Sequence, residues 1–258
     1  MFLVRINPVK QALREGRLQL GTNFGHFRSV EVPRILATAG FHWAFIDCEH
    51  GVFDIETVYD LCRTSVACGL SPVVRVASLE YDLVARALDC GAEGIIFPRV
   101  ESVELLQQAV NWTKFPPVGV RGYGLAPVHL NYAKATIADA IEHMNKEIMV
   151  VLQIETVKAF EMRDELLSVK GVDTVMVGPA DLSISLGVPG DFQNPKMVTT
   201  MEAIVESCNA HGVNPGTQTR TLGLGKFWKE RGMKFLGCSS DIAMMLESAQ
   251  AIAAELAK

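Results

Sequence analysis

Short apolar runs, rich in β-branched residues, recur along the chain and are separated by amphipathic stretches with helical spacing. The runs are nearly continuous rather than alternating, which is typical of parallel strands that are covered on both faces. They predict eight strands, at residues 19–25, 43–50, 71–76, 94–100, 148–156, 172–181, 213–219 and 234–241.

The intervening stretches predict helices, for example at residues 56–68, 82–90, 159–169 and 198–211. Gly69, Gly91 and Gly212 each follow a predicted helix, where glycine readily adopts the left-handed conformation that ends it. Eight βα units predict an α/β fold with one domain over residues 1–258, a single (β/α)8 TIM barrel, because one such barrel takes ~250 residues. An open doubly wound sheet is the main alternative, but no GxGxxG follows the first strand.

One connection is much longer than the others. Residues 112–146, before strand five, include Pro116, Pro117 and the glycine-rich GVRGYG at 119–124. Residues 137–145 within this insertion predict a helix that packs beside the barrel. Long excursions of this kind are usually functional or oligomeric, so we expect one of these roles here.

Composition and charge narrow the class of protein. Hydrophobic residues make up 49% of the chain, the net charge is −5, and no basic run occurs, so no nucleic-acid partner is expected. No apolar stretch approaches the ~20 residues that span a bilayer, and the N-terminus lacks a signal-peptide pattern. The six cysteines are scattered without metal-like spacing, which predicts reduced thiols in a cytoplasmic protein.

The carboxyl ends of the predicted strands carry ionisable residues, and barrel enzymes take their reacting groups from these ends. Glu155 and Asp181 end neighbouring strands, so their carboxylates are expected to lie close together. Close carboxylates repel unless a proton or a cation lies between them, and oxygen ligands suit Mg²⁺ or Mn²⁺. The alternative is two helix-start acids, because Glu155 precedes TVKAF and Asp181 precedes LSISL.

A second cluster follows strand two. If the strand continues far enough, Asp47 and Glu49 share one face, and a carboxylate beside His50 would make it a general base. The alternative for His50 is a capping role at the strand exit. Arg75 would point into the barrel mouth and bind a substrate carboxylate or an enolate, or else pair with Glu49 or Asp47.

Other polar residues at the same end give weaker indications. Gln153 faces the same way as Glu155 and could support it, whereas structural ion pairs are favoured for Arg99 and Arg121. The glycine-rich TRTLGLGK at 219–226 could bind phosphate or simply form a tight turn. The strand-associated lysines sit at strand starts, which disfavours an imine-forming aldolase and favours enolate stabilisation by metal.

With these residues in hand, the chain resembles the HpcH/HpaI family of class II, metal-dependent 2-oxo-acid aldolases. The resemblance rests on motifs that span nearly the whole chain in the family's order. They are AGFHWAFIDCEHG (39–51), VVRV (73–76), ALDCGAEGIIFPRVES (87–102), GVRGYG (119–124), VLQIET (151–156), VGPADLSISLGVPGDFQNP (177–195) and residues 225–246.

The resemblance implies a role for each matching position. Glu155 and Asp181 would ligate the metal, which would be Mg²⁺, Mn²⁺ or Co²⁺, and Gln153 would line its site. Arg75 would hold the 2-oxo acid and its enolate. His50 and Asp47 would form a dyad that deprotonates the aldol hydroxyl through a metal-bound water. The backbone of Gly178, Pro179 and Ala180 would bind the substrate carboxylate.

The family also implies a homo-oligomer, commonly a hexamer, in which the last helix is exchanged between subunits. Asp89 matches a position at a subunit contact near a neighbour's active site. The expected partners are therefore a small 2-oxo acid, an aldehyde and further copies of the chain. Two departures, Asn23 in strand one and the polar NPGTQT of strand seven, leave the aldehyde half of the substrate open.

The expected reaction is reversible cleavage of a 4-hydroxy-2-oxo acid to pyruvate and an aldehyde. Oxaloacetate decarboxylation or acyl-CoA cleavage are the alternatives within the same superfamily. Two further readings belong to other classes: a phosphate-binding barrel isomerase that uses Gly223 and Gly225, and a barrel that binds a 2-oxo acid without turnover.

Overall fold

Eight parallel strands close into one barrel in the computed structural model, which describes residues 5–130 and 132–258. The neighbours around the barrel follow chain order, and β8 pairs with β1 to close it. The TIM-type barrel predicted from the sequence is therefore confirmed. The strands are β1 (Gln19–Phe24), β2 (Trp43–Asp47), β3 (Ser71–Arg75), β4 (Gly94–Phe97), β5 (Met149–Ile154), β6 (Thr174–Val177), β7 (Gly216–Thr219) and β8 (Phe235–Ser240).

Helices connect the strands and cover the outside of the barrel. They are α1 (Pro8–Arg14), α2 (Glu31–Thr38), α3 (Ile55–Ala67), α4 (Tyr81–Asp89), α5 (Val103–Trp112), α6 (Ile137–Glu147), α7 (Val157–Glu161), α8 (Arg163–Leu167), α9 (Pro179–Ser185), α10 (Pro195–Ala210), α11 (Leu222–Glu230) and α12 (Asp241–Leu256). Gly69, Gly91 and Gly212 have φ angles of +89°, +102° and +68°, as expected for the glycines that end helices.

Several strands end earlier than the sequence predicts, and two of these differences affect the site. Strand β2 ends at Asp47 rather than at residue 50, because the Asp47 carboxylate accepts the backbone N–H groups of Glu49 and His50 and turns the chain. Strand β6 ends at Val177, and Pro179 starts helix α9. Both differences fall at the barrel mouth, where they set the direction of acidic side chains.

The barrel interior is a packed core rather than a channel. The Trp43 and Phe235 rings stack inside it with their centroids 3.9 Å apart. Helix α1 closes the amino-terminal end, where Val9 and Leu13 join the same buried cluster. A larger apolar cluster lies between the barrel and its outer helices.

The insertion before β5 is present in the structure. It runs from the end of α5 through a short 3-10 helix (Pro127–Leu130) to α6, which begins with a Thr136–Asp139 capping box. The Arg121 guanidinium, from GVRGYG, is buried and lies 2.8 Å from an Asp89 carboxylate oxygen. The structural ion pair predicted for Arg121 is therefore observed within this chain.

Some predictions extend beyond the described residues. Residues 1–4, which begin the N-terminal segment, and residue 131 lie outside them. Among the helices in the described ranges, none is both long and apolar enough to cross a bilayer.

Candidate active site

A cavity of about 440 Å³ opens at the carboxyl-terminal mouth of the barrel. It lies where barrel enzymes hold their reacting groups. Most of the residues predicted to form the site line it, namely His50, Arg75, Gln153, Gly178, Pro179, Ala180 and Asp181. The structure therefore brings these predicted residues together around one cavity.

Glu155 lies directly after β5 and is only 2% exposed. One carboxylate oxygen accepts the backbone N–H of Arg99 at 2.7 Å, and the other accepts the side-chain amide of Gln153. Burial raises the pKa of Glu155, and the negative charges of Glu49 and Asp181 raise it further. The hydrogen bond from the Arg99 backbone lowers the pKa but does not cancel these effects. The surroundings of Glu155 therefore disfavour the charged form of its carboxyl group.

Asp181 lies in the first turn of α9, on the β6 side of the same mouth. Helix α9 has no side-chain cap, and the next helix after Glu155, α7, is capped by Thr156. Neither acid therefore caps a helix in the described structure, but Asp181 is a first-turn acid of α9, as the helix-start alternative also predicts for it. The two carboxylates are close enough for Asp181 to raise the pKa of Glu155.

Gly178 lets the end of β6 approach β5 closely. A Cβ atom at this position would lie 2.8 Å from Glu155 Oε2 and 2.9 Å from Gln153 Nε2. Any larger residue would therefore push the carboxylate and the amide away from their present positions. The sequence motif GPAD thus places a glycine where the fold needs one.

Arg75 ends β3 and forms a buried network with two acids. Its Nε and Nη2 atoms donate to the Asp47 carboxylate at 3.0 and 2.7 Å, and Nη1 lies 2.9 Å from Glu49 Oε2. Burial alone would raise the pKa of Asp47, but the hydrogen bonds and charge of Arg75 outweigh it and hold the pKa below its ordinary value. The ion pairs that the sequence left open for Arg75 are thus both present, at the edge of the cavity.

His50 lines the cavity with its ring largely exposed. Asp47 accepts the backbone N–H of His50, while the nearest carboxylate to the ring is that of Glu49, 3.8 Å from Nε2. Because β2 ends at Asp47, the expectation that Asp47 and Glu49 share a strand face was wrong. The structure brings Asp47 and His50 together through the backbone, and their predicted dyad stays a prediction.

Arg99 was expected to form a structural ion pair rather than to join the site, and Glu49 was expected beside His50 but without contact to Arg99. Arg99, with a φ of +53°, donates its backbone N–H to Glu155, and its guanidinium lies 3.2 Å from Glu49 and 3.8 Å from Asp181. Glu49 joins Arg75 to Arg99. A run of charged residues directly after strand four, PRVES, was the available signal for Arg99.

The charges of this cluster fit a divalent cation. Four carboxylates (Asp47, Glu49, Glu155 and Asp181) face two guanidinium groups (Arg75 and Arg99), which leaves two negative charges in excess. The buried Oε1 atom of Gln153 accepts no hydrogen bond within the described residues. In those residues no three His, Cys, Asp or Glu side chains cluster as a metal site.

The glycine-rich segment at 219–226 forms the start of α11 rather than an open loop. Thr221 caps this helix by accepting the backbone N–H of Leu224, and Gly225 donates to the Thr221 carbonyl. The amides of Leu224 and Gly225 are therefore used within the helix, as in any capped helix, and phosphate binding stays an alternative.

Comparison with known proteins gives a consistent result. Residues 26–219 match the family model described as HpcH/HpaI aldolase/citrate lyase. A 4-hydroxy-2-oxo-heptane-1,7-dioate aldolase of Escherichia coli is 32% identical over 248 residues, which cover 96% of this chain and 94% of the relative.

Solved structures agree in fold over nearly the whole chain. The HpcH/HpaI aldolase from Desulfitobacterium hafniense DCB-2 superposes with a TM-score of 0.90 at 33% identity, covering 100% of this chain and 97% of the other. The citrate synthase SbnG superposes with a TM-score of 0.84 at 28% identity, covering 95% and 96%.

Proposed function

The chain belongs to the HpcH/HpaI aldolase/citrate lyase family, and we propose that it reversibly cleaves a 4-hydroxy-2-oxo acid to pyruvate and an aldehyde through the cavity at the barrel mouth. It is a carbon–carbon lyase of the class II aldolase type. The substrate class rests on the aldolase name of its Escherichia coli relative and on the residues of the site.

The observation that carries the proposal is the pair of carboxylates beside Arg75, one from Glu155 directly after β5 and one from Asp181 in the first turn of α9. We propose that this pair holds a divalent cation, Mg²⁺ or Mn²⁺, with Co²⁺ as a further possibility. Burial and nearby negative charge raise the pKa of Glu155, and a cation would relieve both effects. When bound there, the cation supplies Lewis-acid stabilisation of the negative charge that develops on a 2-oxo acid.

Arg75 supplies the fixed positive charge of the protein at this place. Its guanidinium is held in one orientation by Asp47 and Glu49, and its burial makes each of its hydrogen bonds stronger than in water. We propose that it donates to the oxygen at C2 of the substrate, where negative charge develops. Removing one such preorganised donor typically lowers the rate by ~10²–10³.

Ala180 is the candidate that seats the substrate carboxylate. Pro179 has no N–H, and the N–H of Gly178 donates to Ile154. The amide of Ala180 lies in the first turn of α9, where no helical carbonyl accepts it. Of the three predicted backbone positions, Ala180 is therefore the one with a donor left for the substrate.

His50 is the general base of the proposal. Its ring lines the cavity beside Glu49, which can stabilise the ring once it gains a proton. The ring accepts the proton of the C4 hydroxyl, the C3–C4 bond breaks, and C4 leaves as the aldehyde carbon. The electron pair remains on the pyruvate fragment as an enolate, and protonation at C3 gives the methyl group of pyruvate.

Deuterium exchange at the pyruvate methyl group tests this proposal, because it reports enolate formation without any aldehyde. We expect exchange in D₂O with Mg²⁺ or Mn²⁺, its loss in EDTA, and its return when metal is added back. Exchange that continues undiminished in metal-free protein would refute the proposed metal pair. Binding of pyruvate without exchange would favour the non-catalytic alternative.

We propose further that the protein assembles with copies of itself through α12. This helix carries exposed apolar side chains, and only its first residue is buried. The exposed residues are Ile242, Met245, Leu246, Ile252 and Leu256. Exposed apolar surface of this extent usually marks an interface.

The predicted hexamer, the exchange of this helix and the subunit contact at Asp89 belong to the same proposal. Light scattering on the intact protein is expected to give a mass that is a multiple of the chain. Met245→Glu with Ile252→Glu should lower that mass, whereas Glu247→Gln on the same helix should not. A wild-type protein that stays monomeric at micromolar concentration would contradict the proposal.

A further inference from the structure

The two guanidinium groups of the acidic cluster differ in how firmly they are held. The side chain of Arg75 is 9% exposed, and three of its nitrogen atoms contact Asp47 and Glu49. The side chain of Arg99 is 58% exposed and reaches Glu49 at 3.2 Å and Asp181 at 3.8 Å. Exposed side chains change rotamer freely, whereas a buried and fully bonded one does not. Arg75 is therefore a fixed charge, and Arg99 is a movable one.

Arg99 contacts both acids of the proposed metal pair. Its backbone N–H donates to Glu155 Oε1 at 2.7 Å, and its guanidinium lies beside Asp181 Oδ1. Its φ of +53° is uncommon for a residue with a Cβ atom, and such conformations cluster at functional sites. This local turn directly after β4 lets the backbone face one acid and the side chain face the other.

The guanidinium of Arg99 lies among negative charges. The hydrogen bond to Glu49 and the charges of Glu155, Glu49 and Asp181 raise its pKa. Within residues 5–130 and 132–258, Arg99 is the only basic side chain within 4.0 Å of the Asp181 carboxylate. Arg99 is therefore the positive group of this part of the protein that a cation bound at Asp181 would meet.

A guanidinium and a divalent cation both bind carboxylate oxygens, and they repel each other. Exposed ion pairs are weak, so a cation can displace Arg99 from Asp181 at little cost. The buried contacts of Arg75 are not exchangeable in this way, because a buried charge that loses its partner is strongly disfavoured. Of the two guanidinium groups, Arg99 is the one suited to yield to a cation.

We infer that Arg99 is a positioning residue that sets the affinity of the site for its divalent cation. Its guanidinium compensates the acids before the cation binds, competes with it for Asp181, and moves away when it binds. Its backbone N–H keeps the Glu155 carboxylate in place throughout. This inference rests on the proposed metal pair of Glu155 and Asp181.

Binding of Mn²⁺ to EDTA-treated and dialysed protein tests the inference without any substrate. Free Mn²⁺ is measured by its electron paramagnetic resonance signal, which gives the Kd. Arg99→Met removes the charge and keeps most of the side-chain length, and we expect it to bind Mn²⁺ about fivefold more tightly, the upper range for an exposed ion pair. Arg99→Lys keeps the charge and should change the Kd less.

A second neutral variant guards against a folding defect in the first. Arg99→Asn also removes the charge, and asparagine tolerates the left-handed conformation. Lys158→Met is the matched control, because Lys158 is an exposed cation of α7 that pairs with Glu101 rather than with either metal acid. We expect its Kd to stay within about twofold of the wild type.

Salt and heat distinguish competition from a merely structural role. The difference in Kd between Arg99→Met and the wild type should shrink from ~0.1 M to ~1 M salt, since the screening length falls from ~10 Å to ~3 Å. In EDTA the variant should unfold at a lower temperature than the wild type, because its acids lack a compensating charge. Added Mn²⁺ should then raise its melting temperature by more than that of the wild type.

Asp181→Asn separates this inference from the proposed function. If the wild type binds Mn²⁺ and Asp181→Asn weakens that binding, yet folded Arg99→Met and Arg99→Asn bind no more tightly than the wild type, only the role of Arg99 is overturned. A wild type that does not bind Mn²⁺, or an Asp181→Asn variant that binds it equally well, would refute the metal pair and the inference with it.

Discussion

The two ends of the barrel treat buried charge in opposite ways. At the amino-terminal end, the Lys10 and Lys114 ammonium groups both donate to the Ile148 carbonyl at 2.9 Å, and Lys10 also lies 2.9 Å from Asp173. Helix α1 covers this end, and its buried side chains pack into the barrel core. Both ammonium groups therefore have hydrogen-bond partners within the protein, and one of them also has a carboxylate partner.

At the carboxyl-terminal end, acids outnumber bases and buried polar atoms lack partners. Each of these features costs stability in the free protein. The barrel therefore separates stability, at its amino-terminal end, from ligand binding, at its carboxyl-terminal end. Substitutions at one end need not disturb the other.

Glu155→Gln, a substitution at the barrel mouth, should have the largest effect on activity. We expect kcat/KM to fall on the order of 10³ or more, because one of the two metal carboxylates is lost. In metal-free protein at pH 7 the same substitution should raise the melting temperature, because burial raises the pKa of Glu155 and glutamine carries no charge there.

The sign of that stability effect also fixes its pH dependence. Because the pKa of Glu155 is raised in the folded state, this group loses its proton at a lower pH in the unfolded chain than in the folded one. The free energy of unfolding of the wild type is therefore lowered at pH values above the ordinary pKa of a glutamic acid. The stability difference between variant and wild type should therefore shrink as the pH is lowered toward that value. Thermal unfolding with the exposed Glu161→Gln as control measures it, and a destabilised Glu155→Gln would break the comparison.

Leu13→Ala should show the converse behaviour at the closed end. Leu13 is 3% exposed, and removing a buried leucine side chain costs about 2–5 kcal/mol of unfolding free energy. Denaturant unfolding should report this loss, while methyl exchange per folded molecule should stay within about twofold of the wild type. The exposed Gln11→Ala on the same helix serves as the matched control, and lost exchange in folded Leu13→Ala would show that the two ends are coupled.

Lys114→Met should show the smallest effect, a change in the slope of stability against pH. Burial, followed by the charge of Lys10, lowers the pKa of Lys114 to about 7. The unfolded lysine keeps its proton up to about pH 10.4, so unfolding takes up a proton between these values and stability rises with pH. That contribution should be absent in Lys114→Met and present in the exposed Lys170→Met, as measured by denaturant unfolding from pH 7 to 10.

The fold was predictable because its signal repeats. Each βα unit contributes an apolar run, a helical pattern and often a terminal glycine, so an error in one unit leaves the others to define the barrel. Helix α1 escaped prediction because it is short, and its apolar residues make sense only once the barrel end they cover is known.

The site was predictable in its residue types but less so in its contacts. Glu155, Asp181 and Arg75 follow from their places at strand ends. The contacts of Glu49 and Arg99 depend on turns, one made by the Asp47 carboxylate and one by the left-handed conformation of Arg99. Local turns of this kind do not produce a periodic pattern in the sequence.

The stacked Trp43 and Phe235 rings have a kinetic consequence. They fill the barrel beneath the cavity, so both reactants reach the site from the same side. The carboxylate of Glu155 is buried, while Arg220 lies exposed at the rim. We therefore expect the keto acid, whose proposed site is at the buried Glu155 carboxylate, to bind before the aldehyde and to leave after it, an order that product-inhibition kinetics would report.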